Sequence, residues 1–450
     1  MYRKVGLQPS YETQLTPSLI HHLSYPHGRS VNDFIPHHLC SVRYTSFDCA
    51  VAMVRHCGVG ALMGKCDIKS AFRLLPVHPG DFELLGFAFA DKFYVDRALP
   101  MGCSISCSVF ERFSSFLEWA VRRRSGSPAV VHYLDDFLFA GRAHTGDSRD
   151  LMDHFIGLLA DLGVPLAGEK TEGPAPILTF LGIEIDTLAQ CCRLPLLKLD
   201  LLREKVAHIL ASRKTTLLAP QELSGLLNFA CRVIAPGRAF LRRVYDAMSQ
   251  LSHLRHHIRV SAALKADLIV WSAFLREFNG VFFWRHDRLL EAELQVHSDA
   301  SGSFGFGVIF GDSWCHGSWP ETWVQEGLVR DLTLLEFFPI VVAVYLWPDR
   351  LRDTTVHFWC DNLSTVHVIN SLTSKNPRVV HLVHAFVLHC LQFNILFLAR
   401  HVPGIDNGIA DALSRNQMER FRQLAPWSRA QPDVVPPTLW EIGGLSQRRQ

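Results

Sequence analysis

The stretch Val130-Val131-His132-Tyr133-Leu134-Asp135-Asp136-Phe137-Leu138-Phe139 limits what this chain can fold into more than any other. Apolar side chains press in from both sides, yet two adjacent carboxylates stand at its centre. Such a run reads as two strands of a hairpin whose turn carries the acidic pair. Adjacent like charges against a hydrophobic surface are costly unless a cation sits on them. The competing reading is a plain surface turn, since Asp is a common turn residue.

The chain has 450 residues, 48% of them hydrophobic and 20% charged, which suits a globular protein with a well-supplied core. That length accommodates about two to four domains. A net charge of only +2 means that any phosphate-binding surface must be a local groove of Arg, Lys and His. The 12 cysteines are scattered without a Cys-x-x-Cys pair, so a structural zinc site is not expected, and their apolar surroundings suit a reducing compartment. Neither an apolar signal core nor a membrane-length apolar run is present, so the expected location is intracellular, cytoplasmic or nuclear, with no membrane partner.

Other segments bear on the acidic hairpin. Ser46 suits the N-cap of a helix over 47–56, and an apolar strand from Ala61 ends on Asp67, followed by Ile68-Lys69-Ser70-Ala71-Phe72-Arg73. Residues 84–99 read as a hairpin, and Leu99-Pro100-Met101-Gly102-Cys103-Ser104 opens a long helix. Arg122, Arg123 and Arg124 close that helix, where cations need no ligand to explain them. Gly168-Glu169-Lys170-Thr171 then precedes Phe180-Leu181-Gly182.

Together these segments resemble the reverse transcriptases of retroelements. Tyr133-Leu134-Asp135-Asp136 looks like their YxDD hairpin, Asp67 to Phe72 like their first catalytic motif, and Leu99 to Gly102 like their LPxG motif. The resemblance implies that Asp67, Asp135, Asp136 and the Ile68 carbonyl hold metal. It also implies that Phe72 excludes a ribose 2′-hydroxyl, Gly102 lets template and nucleotide approach the backbone, and Lys170 protonates the leaving pyrophosphate. Read singly, Asp67 is equally a helix cap, Phe72 a core aromatic and Lys170 an exposed loop lysine. Met101, Cys103 and Cys107 depart from the usual pattern and are more similar to DIRS-like tyrosine-recombinase retrotransposons than to retroviruses. The family also carries basic residues upstream of the first motif. Here Ser18 stands where an Arg is expected, leaving Arg3, Lys4 and Arg29 nearby.

Residues 196–280 read as four helices without a catalytic cluster. From Glu293 the pattern becomes three strands, helix, strand, helix, strand, helix, and acids fall at Asp299, Glu336, Asp361 and Asp411, with His401 ten residues before the last. That order is similar to the ribonuclease H fold, which implies that the four acids bind metal and His401 assists product departure. His381, His384 and His389 lie on one predicted helix. Positions i and i+3 share a face while i+8 drifts off it, which favours partly buried histidines over a metal site.

The fold class expected is therefore α+β / α/β multidomain: right-hand polymerase palm and fingers, helical thumb/connection, and a ribonuclease H-like mixed sheet. The boundaries are 1–60 partial fingers, 61–190 palm, 191–290 thumb and connection helices, 291–416 ribonuclease H domain and 417–450 flexible tail. The resemblance implies a retroelement RNA-directed DNA polymerase coupled to hybrid cleavage, using two Mg2+ (or Mn2+) ions per active site. Its partners would be an RNA or DNA template, the DNA product strand, the RNA–DNA hybrid and deoxynucleoside triphosphates. The alternative is a decayed or domesticated copy that keeps only hybrid cleavage, or only nucleic-acid binding.

Overall fold

The computed structural model of the chain describes residues 5–8, 18–249, 256–277, 281–282 and 292–444. It divides into two compact units, Met1–Pro195 and Leu196–Gln450.

The first unit is built on strands β1 (Leu62–Asp67), β2 (Val130–Tyr133), β3 (Asp136–Gly141) and β4 (Glu172–Ala175). They form an antiparallel sheet in the order β2-β3-β1-β4. Helices α1 (Phe47–His56), α2 (Ser106–Ser125) and α3 (Asp147–Leu162) accompany it. The Ser46 hydroxyl accepts the Cys49 N–H at 3.2 Å and starts α1 as its sequence suggests. Phe110 and Leu117 of α2, Phe155 of α3, and Phe137 and Phe139 of β3 make one buried core. The Phe137 and Phe155 rings stand 4.4 Å apart, and losing either would cost roughly 3–5 kcal/mol. This core anchors β2 and β3, so the acidic turn between them is fixed from below.

The hairpin expected over 84–99 is confined to Gly86–Phe89 and Lys92–Val95, because Pro79–Leu85 winds into a 3-10 helix. Ala90 and Asp91 both take positive φ, 47° and 56°, the pairing that a two-residue hairpin turn requires. Strands β5 (Ile177–Phe180), β6 (Ile183–Asp186) and β7 (Cys191–Arg193) follow as antiparallel neighbours.

The second unit opens with helices α4 (Leu196–Ala211), α5 (Leu218–Ala230), α6 (Arg242–Met248) and α7 (Ala262–Glu277). Helix α6 starts only at Arg242 because Ala235–Phe240, with Pro236 near its start, is a 3-10 turn. Strands β8 (Leu294–Ala300), β9 (Gly305–Phe310), β10 (Ser313–Ser318), β11 (Thr355–Cys360) and β12 (Leu396–His401) form a mixed sheet. Its order is β10-β9-β8-β11-β12, with β8, β11 and β12 parallel. Helices α8 (Leu332–Leu346), α9 (Leu363–Ser371), α10 (Pro377–Gln392) and α11 (Gly408–Ser414) complete this part. The sequence pattern anticipates α10 but not α9 before it.

Residues 196–277 and the mixed sheet fall within one compact unit, in which His384 of α10 donates Nε2–H to the Ala239 carbonyl at 2.9 Å and stacks on Phe240. Burial of that ring explains the histidine-bearing helix without a metal. Residues 417–444 are not a loose tail. They carry helices α12 (Met418–Leu424) and α13 (Pro437–Gly444), with Phe421 and Leu439 buried. Trp440 stacks 4.9 Å from Phe338, and Trp347 Nε1–H donates to Asp433 at 2.8 Å. Prolines space these segments, but Phe421, Ala425 and Leu439 give them apolar surface to bury.

Candidate active site

Two groups of acids form, one in each unit. In the first, β1 and β3 pair so that Asp67 lies directly opposite Asp136. The two-residue turn Leu134-Asp135 joins β2 to β3, with Tyr133 paired to Asp136 and Leu134 held at φ 54°. A leucine seldom adopts that conformation, so the surrounding contacts must impose it. One such contact is the Ile68 N–H, which donates to the Asp135 carbonyl at 3.1 Å and ties the turn to the end of β1. Asp67, Asp135 and Asp136 therefore meet at one end of the sheet, and Ile68 lies beside them.

Lys170 completes the group, with its Nζ 3.1 Å from Asp67 Oδ2. Burial opposes the charge on this amine, but the Asp67 hydrogen bond and the three carboxylates raise its pKa above the ordinary lysine value. Burial raises the Asp135 carboxyl, with Asp67 adding to the effect. Burial also pushes Asp136 up to about 7, reinforced by Asp135 and Asp67. One ammonium does not neutralise three carboxylates. This oxygen-only donor set suits hard divalent cations.

Phe72 is half-buried and sits edge-on to Phe110 at 5.3 Å, so it is at least partly a core ring. Gly102 has an intramolecular reason for being glycine. Its φ is 101°, and a Cβ there would stand 2.0 Å from the His21 carbonyl oxygen. Of the upstream cations, Arg29 is exposed, while Arg3 and Lys4 fall outside the described residues.

The second group gathers around β8. Asp299, on β8, and Glu336, on α8, are both buried. Asp361 follows β11, where Cys360 pairs with His401 of β12. Asp411 lies on α11, which can approach β9 because Gly307 is opposite Asp299 in the sheet. A Cβ on Gly307 would stand 2.3 Å from Leu413 Cβ. His401 is exposed and donates Nε2–H to the Asp361 carbonyl at 3.1 Å.

Burial pushes Asp299 up to about 6, with Asp361 and Asp411 adding repulsion. Glu336 is pushed up to about 9, first by burial and then by Asp299 and Asp361. Burial also raises Asp361. Asp411 behaves differently: burial is outweighed by Arg415 and Arg420, which contact it at 2.5 and 2.6 Å and hold its carboxyl below the ordinary range. Glu336, Cys360 and Asp361 bring ligand atoms within 4.8 Å of one another.

Residues 20–185 match the family model described as reverse transcriptase (RNA-dependent DNA polymerase). These residues are a reverse transcriptase domain. Among curated relatives, the Gag-Pro-Pol polyprotein of Mason-Pfizer monkey virus is 26% identical over 130 residues, 27% of this chain and 7% of that protein. Protein P of woodchuck hepatitis B virus is 27% identical over 185 residues, 40% of this chain and 20% of that protein. The chain thus spans a fifth or less of these relatives. A solved foamy viral protease–reverse transcriptase dRH in complex with double-stranded DNA is similar in fold, with a TM-score of 0.50 and 16% identity over 89% of this chain and 65% of that one.

Sequence reasoning missed several partners of the acids. In the reverse transcriptase domain the Asp135 carbonyl contact carried no signal. In the second unit Ser414 donates its hydroxyl to Asp299, and the Cys360 thiol lies 3.7 Å from Glu336 Oε2. Helical spacing could have flagged Ser414 and Arg415, at i+3 and i+4 from Asp411. No helix among the described residues is long and apolar enough to cross a membrane.

Proposed function

We propose that the reverse transcriptase domain extends a DNA strand on an RNA or DNA template from deoxynucleoside triphosphates. The observation that carries this reading is the meeting of Asp67, Asp135 and Asp136 at one sheet end with Lys170 against Asp67. Asp67, Asp135, Asp136 and the Ile68 carbonyl would hold divalent cations, Mg2+ or Mn2+. Such ions supply Lewis acidity toward the attacking and departing oxygens. Lys170 stays protonated beside the carboxylates and serves as general acid toward the departing pyrophosphate. Phe72 limits the space beneath the sugar, and Gly102 keeps the backbone at the LPxG-like turn bare.

A second activity is favoured by the convergence of Asp299, Glu336, Asp361 and Asp411. We assign this group to cleavage of the RNA strand in an RNA–DNA hybrid, with the acids holding divalent cations and His401 assisting departure of the product. Hybrid contacts to the backbone and 2′-hydroxyls would make cleavage insensitive to sequence. On this reading residues 1–60 serve as partial fingers, 61–190 as palm, 191–290 as thumb and connection, and 291–416 as the cleaving domain.

Primer extension and hybrid cleavage, assayed in Mg2+ beside Asp135→Asn and Asp361→Asn, test both activities. Each substitution should remove one reaction and spare the other. Cleavage without extension would leave a hybrid nuclease, and absence of both would leave a nucleic-acid-binding copy. The DIRS-like assignment remains a proposal that rests on Met101, Cys103 and Cys107.

A further inference from the structure

Directly below the acidic turn lies a polar cluster that neither activity uses. His132 of β2 is buried, with its ring 5.3 Å from and nearly parallel to that of Phe137. Its Nδ1 meets Glu118, and its Nε2 lies 3.2 Å from Glu111 Oε1. Both glutamates come from α2, where the i, i+7 spacing puts them on one face. Glu118 also takes Arg122 at 2.7 Å, and Arg122 donates to the Val130 carbonyl at 2.8 Å. Glu111 is buried, and neither its Oε2 nor the His132 Nε2 that faces its Oε1 makes a hydrogen bond among the described residues. One residue further along β2, Tyr133 packs its ring 4.8 Å from that of Tyr44.

With a carboxylate facing each ring nitrogen, an imidazolium would offer a proton to both glutamates, whereas a neutral ring serves only one. Two glutamates, one Arg and one imidazolium then balance. Without the imidazolium, Glu111 would be a buried charge with no cation on it. The cluster joins α2, which follows the LPxG-like turn, to β2, which carries the acidic turn.

We propose that His132 is a positioning residue, a charged tie between Glu111 and Glu118 that fixes the base of the hairpin to α2 and so sets where Asp135 and Asp136 stand relative to Asp67. This rests on the polymerase reading of that acid group. His132 touches neither substrate nor reacting atoms; it acts through the turn three residues away.

The test uses the full chain with Asp361→Asn, so that metal binding at the second group is reduced. Three proteins are compared: this parent, the parent with His132→Gln, and the parent with Glu111→Gln and His132→Gln together. Mn2+ binding by electron paramagnetic resonance, primer extension and thermal melting are measured on each. His132→Gln should weaken Mn2+ binding about tenfold. It should lower kcat about tenfold or more and leave primer–template Kd unchanged. The double variant restores neutrality with a Gln–Gln pair and should return Mn2+ affinity to within about threefold of the parent, a non-additivity that a merely structural role would not produce.

The proposal is overturned if His132→Gln keeps both Mn2+ affinity and kcat, or if the two substitutions add. If the parent extends no primer, the polymerase reading falls, while Mn2+ affinity still decides the tie. Should His132→Gln fail to fold, Glu118→Gln, which cuts the half-buried end of the bridge, is read the same way.

Discussion

The two acid groups are built on opposite electrostatic plans. At the ends of β1 and β3, three carboxylates share one ammonium, that of Lys170. Around β8 the four acids are treated unequally. Asp411 is clamped by two guanidiniums, Asp299 takes a hydroxyl, and Glu336 is buried against a thiol. The difference teaches where a cation is already supplied and where one is missing. In the first unit the unmet charge is spread over Asp67 and the hairpin turn, whereas in the second it is concentrated on Glu336, Asp299 and Asp361.

The largest test asks whether the groups are independent. Asp135→Asn should lower primer extension by roughly 10³-fold with hybrid cleavage intact, and Asp361→Asn should do the reverse. Loss of both reactions in either variant would break the comparison at its root. The next test compares the cations. Lys170→Met should lower kcat for extension by roughly 10²-fold at unchanged KM, because it removes a proton donor. Arg420→Met should alter cleavage by less than about tenfold and lower the Mg2+ concentration required, because Asp411 would keep Arg415 but lose its second clamp.

Metal removal gives a smaller, thermodynamic contrast. Asp136 and Glu336 both titrate above their ordinary values in the fold, so the folded chain binds more protons than the unfolded one. Stability in chelator should therefore fall as pH rises, between 3.8 and about 7 for Asp136 and between 4.5 and about 9 for Glu336. Glu336→Gln should raise the melting temperature in chelator at slightly alkaline pH, and Asp136→Asn should raise it less. Added Mg2+ should reverse the order. A melting temperature that climbs with pH in chelator would show the opposite sign.

The smallest effect lies in the second unit alone. Burial lowers His384 from 6.5 to about 4, so the unfolded chain takes up a proton first as pH falls. Stability should drop over that window by an amount worth a few degrees of melting temperature, and His384→Asn should flatten the dependence. Calorimetry that finds the acid-sensitive transition in the first unit instead would remove this contrast.

The acids were legible in sequence because each stands at the end of a strand or on a helix whose apolar period marks it. Asp67 closes an apolar run, and Asp361 does the same after β11. Helices α4 to α8, α10 and α11 of the second unit were readable from the same periodicity, whereas α9, whose short run from Leu363 to Ser371 offers little pattern, was not. What surrounds the acids was not legible. Glu111 and His132 are 21 positions apart, and Cys360 meets Glu336 across 24, so only the packing of α2 on β2 and α8 on β11 brings them together. The stretch after Asn416 was misjudged for a related reason: proline spacing suggested slackness, while the partners of Phe421 and Trp440 lie far upstream.

That closing segment has a practical corollary. A fragment trimmed after Ser414, where the recognisable pattern stops, would strip Trp440 from Phe306, Phe338 and Trp323 and open the side of the sheet to water. Any attempt to produce the carboxy-terminal half in isolation should keep the chain through Gly444, or it will yield a sticky protein whose lost activity says nothing about its acids.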